Sequence, residues 1–92
     1  MKHQRHFESS TASREAEQTR TLIADLDRIV RILGVDIATE EDRAGIFDRV
    51  HPEYPTLARA LAARRDNLAD TIAVLELRIA TINEPRFELA SA

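Results

Sequence analysis

At 92 residues and 10.4 kDa, with no cysteine, two glycines and three prolines, the chain is a single domain with a thin core and neither a disulfide nor a thiolate metal site to support it. Thirteen basic residues against sixteen acidic ones give a net charge of -3, which argues against a general polyanion binder. The longest apolar runs, such as Ile72-Ala73-Val74-Leu75, fall far short of the roughly 20 residues of a membrane span, and the basic start Met1–Glu8 lacks the apolar stretch of a secretory leader, so the expected compartment is the cytoplasm.

Residues 1–10 are polar and without period, and a disordered N-terminal tail is expected there. From Ser13 onward Ala16, Ile23, Val30 and Ile37 recur every seven residues, with Thr19, Leu26 and Leu33 at the complementary heptad position. That spacing predicts a helix with one apolar seam. Leu22 and Ile29 fall with Ile23, Leu26, Val30 and Leu33 inside an arc of about 120°, the width of a core-facing helix. The outer face carries acid-before-base pairs, Glu17 with Arg20, Asp25 with Arg28 and Asp27 with Arg31. Gly34 is read as the stop, with Val35 folding back toward Val30.

The next stretch, 36–55, is too long for a bare loop. Thr39 followed by Glu40, Glu41 and Asp42 reads as a cap and first-turn acids, which predicts a short helix in the connector. Ala44, Ile46, Phe47 and Val50 supply its apolar side, and Gly45 weakens it by up to about 1 kcal/mol. His51-Pro52-Glu53-Tyr54-Pro55 is a stiff turn, because each proline forces the residue before it into an extended conformation. Pro55 suits the first position of a second long helix. Its seam, Ala58, Leu61, Arg65, Leu68, Ile72, Leu75, Ile79 and Ile82, alternates steps of three and four until Asn83-Glu84-Pro85. Residues 86–92 form a short C-terminal tail beyond the single domain at 11–85.

The fold class expected is all-α: an antiparallel hairpin of two long helices, coiled-coil-like, with a short helix in the connector, assembling as a dimeric bundle. Matching the seams places Leu33 near Ala58, Leu26 near Arg65, Ile23 near Leu68 and Ala16 near Leu75. The core and self-association set is then Ile23, Leu26, Val30, Leu33, Leu61, Leu68, Ile72, Leu75 and Ile79. A lone hairpin covers each helix on one side only, which leaves Ile32 and the set Ala60, Ala63, Val74 and Leu77 outside. These are either isolated surface residues or a second interface. Arg65 interrupts an aliphatic row. Either its stem covers apolar surface while the guanidinium reaches out, toward Asp27 or Asp25, or it is a polar register device that fixes pairing.

Chemistry is sparse. His3 and His6 are three apart in the expected tail, His51 stands alone before Pro52, and no nucleophile elbow, phosphate-cradling loop or metal-ligand spacing is present in the sequence. No enzymatic activity, cofactor or metal is expected. Arg59, Arg64 and Arg65 cluster in sequence but not on one helix face. The function expected is a small non-catalytic protein–protein interaction module, acting as an adaptor, chaperone or sequestering regulator, with Ala63, Arg65, Val74 and Leu77 as interface residues. Its partners are a second copy or a larger protein, not a membrane. The alternative is a dimeric helical regulator that binds nucleic acid.

Overall fold

The computed structural model describes the backbone of residues 2–83 and the side chains of residues 11–82. Among the described residues there are two helices, α1 over Lys2–Ala44 and α2 over Thr56–Asn83, packed against each other along their length. They run antiparallel. The ion pair Glu15–Arg78 at 3.0 Å ties one end of the hairpin, and the hydrogen bond that Tyr54 Oη donates to Glu41 Oε2 at 2.8 Å ties the other. Forty-three residues at about 1.5 Å each give a helix of about 65 Å. That matches the long dimension of the molecule, 65 × 27 × 12 Å. The radius of gyration of 20.1 Å far exceeds the roughly 12 Å of a compact chain of this length. The protein is a rod.

The heptad seams expected from the sequence are the surfaces in contact. Every step of three and four from Ala12 to Ile37, and from Ala58 to Ile82, falls on a buried or half-buried residue. Two helices alone shield this seam incompletely. Ala16, Leu33, Ile37, Tyr54, Ala58 and Ala62 are buried, whereas Ile23, Leu26, Val30, Leu61, Leu68, Ile72, Leu75 and Ile79 are only half-buried.

Several expectations are corrected. Gly34 does not stop the first helix; α1 continues to Ala44. A mid-helix glycine costs only about 1 kcal/mol, and the seam resumes at Ile37, whose burial outweighs that. The terminator is Gly45, which adopts φ 71° and donates its N–H to Glu41 O at 2.8 Å, the single bond of a left-handed cap. Thr39 is accordingly no N-cap. It lies inside α1, with its hydroxyl donating back to Val35 O at 3.0 Å.

The short connector helix does not form either. Residues 45–55 hold two consecutive turns, closed by His51 N–H to Asp48 O and Tyr54 N–H to His51 O, both 3.0 Å. The side chains of Asp48 and His51 accept further backbone N–H bonds, from Val50 and Glu53 respectively, and so stiffen the turns locally. Phe47 and Val50 are exposed, while Ile46 packs on the core. Pro55 lies one position ahead of α2, its carbonyl accepting the first intrahelical bond from Arg59.

The longer α1 also changes the register. The cluster at Ala58 is built on Ile37 with Tyr54 and Ala62, not on Leu33, so α1 is advanced one turn relative to the pairing expected at this end. The N-terminal tail expected at residues 1–10 falls on side chains outside the described residues, although the backbone from Lys2 continues α1. The C-terminal tail at 86–92 lies outside the described residues altogether.

Candidate interaction surface

Among the described residues the connector end gathers the most side-chain interactions between distant parts of the chain. Tyr54 is buried against Ile37, Ala58 and Ala62, and the Arg59 guanidinium lies over its ring at 5.3 Å from the centroid. Arg59 also donates to Arg49 O at 2.9 Å, and Arg49 reaches Asp66 at 3.6 Å. Burial, followed by the hydrogen bond to Glu41 and that carboxylate's charge, pushes the Tyr54 phenol above its ordinary value of 10.0; Arg49 and Arg59 pull against the shift. All of these groups lie on one flank of the hairpin, which the connector covers. Their role is to hold the turn between the helices.

The other flank is open. Glu15 pairs with Arg78 there, and a shallow groove near the connector is lined by Asp36, Thr39, Glu40, Leu57 and Leu61. Along this flank Leu22 is 46% exposed, Ile32 54% and Leu57 53%, with Ile29 between them. Leu22 and Ile29, placed in the core by their arc, are therefore flank residues. Two packed helices bury a strip narrower than the 120° that a helix shows to a larger core. The excess width of that arc was the signal for an open aliphatic flank, and only the neighbour count of the fold reveals its meaning.

The residues expected at an interface divide into two groups. Ala63, Val74 and Leu77 are exposed on α2, with Leu77 68% accessible. Val74 and Leu77 are three apart and adjacent on the surface, whereas Asp70 separates Leu77 from Ala63 along the outer face. Arg65 is not among them. It is half-buried in the seam, and among the described residues it makes no ion pair. Asp25 and Asp27, the partners considered for it, are taken by Arg28 at 2.6 Å and Arg31 at 2.8 Å on their own helix. Those pairs are largely exposed and contribute little to stability.

Arg28, Arg31, Arg43, Arg49 and Arg78 all pair with carboxylates, which leaves Arg64 as an exposed cation without a partner among the described residues of the open flank. His51 accepts a backbone N–H within its turn; His3 and His6 lie outside the described side chains. Among the described residues no group of three His, Asp or Glu side chains converges as metal ligands, and no helix is long and apolar enough to cross a membrane. No protein family model, curated protein or solved structure matches the chain.

Proposed function

We propose that the protein is a non-catalytic helical interaction module that completes its core by association, as a homodimer and as a holder of a larger protein partner. The observation that supports this reading is the open aliphatic flank, Leu22, Ile29, Ile32 and Leu57, beside a seam that is only half-buried along most of its length. A few kcal/mol separate folded from unfolded states in a chain of this size. Covering several exposed aliphatic side chains at roughly 25 cal/mol per Å² is therefore a large relative gain. Ala63 and Leu77, on the outer side of α2, are the second surface available for a larger partner such as a client or a sequestered regulator, with Val74 between them and the open flank.

Sedimentation equilibrium over a range of concentration and salt tests the reading. Association that persists at high salt is expected, because apolar burial is not screened. A fully helical monomer of 10.4 kDa at every concentration would refute self-association.

A further inference from the structure

Charge on the open flank is sorted by helix. The Glu15–Arg78 pair and the packing of Ile37 on Ala58 fix which residues of α1 and α2 stand level, and they put Arg64 beside the Ile29–Arg31 turn. Between Thr11 and Thr39, the residues that α1 turns toward the open flank include only acids among their charges: Glu15, Asp25 and Asp36. The residues that α2 turns there include only bases, Arg64 and Arg78. Arg43 is the basic residue farther along α1; it lies beside the connector rather than α2 and is bound to Glu40 at 3.3 Å. The opposite flank is not sorted. Glu17, Arg20, Asp27 and Arg31 alternate in sign along α1 there, and α2 carries both signs, Arg59 with Asp66 and Glu76.

We infer that the occupant of the open flank is a second copy of this chain, stacked so that α1 of each hairpin lies on α2 of the other. Two hairpins meeting by this face have two ways to obey a two-fold axis. An axis across the helices lays α1 on α1 and α2 on α2, so acids oppose acids and arginines oppose arginines. An axis along the helices lays α1 on α2, so that the acidic helix face of each copy meets the basic helix face of the other. In the second arrangement Ile29 and Ile32 of one copy cover the level of Arg64 on the other. Arg64, without a carboxylate partner among the described residues of its own hairpin, then lies at a level between Asp36 of the second copy and Asp25, which remains paired with Arg28. The four helices form an antiparallel bundle in which Leu22, Ile29, Ile32 and Leu57 become core.

This inference rests on the self-association proposed above, and the test separates the two. The chain contains no cysteine, so single introduced thiols report proximity cleanly. Chains carrying Gln18→Cys and chains carrying Val74→Cys are refolded together and oxidised, and Ile32→Glu is compared with wild type by sedimentation. A mixed Gln18→Cys to Val74→Cys cross-link is expected, together with association weakened about tenfold or more by Ile32→Glu at unchanged helicity. A wild-type dimer that yields no mixed cross-link overturns the stacking and leaves self-association standing, as does a dimer insensitive to Ile32→Glu. A wild-type monomer at all concentrations overturns both.

Discussion

Replacing the two glycines by alanine tests where α1 ends, because the expected effects have opposite signs. At Gly34 the backbone is helical, and an added Cβ meets nothing within 4 Å. Alanine there gains the full difference in helix propensity, about 1 kcal/mol, with no steric penalty. At Gly45 the space is equally open, but φ is 71°, where an L-residue is disfavoured by about 1–2 kcal/mol. Stabilisation of about 1 kcal/mol corresponds to a Tm about 4–8 °C higher for a domain of this size, so Gly34→Ala raises Tm and Gly45→Ala lowers it by a similar or larger amount. The sites lie about 16 Å apart along the helix, far enough for the double variant to show the sum. Thermal and urea denaturation followed by circular dichroism measure this, at one fixed chain concentration because association shifts Tm. If Gly34→Ala is destabilising and Gly45→Ala stabilising, α1 stops at Gly34 and the continuous helix is wrong.

Arg65→Leu puts an aliphatic side chain at a half-buried seam position whose present occupant has no ion-pair partner among the described residues. It raises stability by about 1 kcal/mol, and if Arg65 also fixes pairing the variant populates additional oligomers in sedimentation velocity; an unchanged distribution removes the register role. Ala58 and Ala62 are fully buried where the helices converge, so Ala62→Leu forces them apart and costs about 1–3 kcal/mol in urea denaturation; a neutral result would mean the helices do not converge there. Tyr54 is the chain's single tyrosine, and burial with its bond to Glu41 raises its phenol above 10.0. Its contribution to stability is therefore complete below that value and lost as pH rises through the higher folded value. Tyrosinate absorbance reads the titration directly, and Tyr54→Phe should flatten the alkaline fall in stability. Leu77→Asp leaves helicity unchanged, since the side chain is exposed, and abolishes binding to any partner that uses the outer face of α2; loss of helical signal would place Leu77 in a core instead.

What the sequence determined by itself was the pair of seams. Ala16 to Ile37 and Ala58 to Ile82 alternate steps of three and four, and this period is a local property of a helix that needs no knowledge of the partner. The prolines at 52 and 55 likewise located the turn, since they restrict their own backbone and that of the residue before them.

Tertiary structure decided what a local pattern leaves degenerate. Gly34 and Gly45 are each acceptable helix terminators in isolation. Only the packing of Ile37 on Tyr54, Ala58 and Ala62 carries α1 through the first and ends it at the second. Tyr54, with Glu41 and Arg59, could not be read as a clamp because its partners come from both sides of the connector and are brought together by the fold. The thin aliphatic core inferred from length and composition acquires a location in the same way. Two helices bury a narrow seam, and the apolar residues beside it, Leu22, Ile29, Ile32 and Leu57, are left on one open flank, because residues at the edge of a helix face are buried only if a third element reaches them.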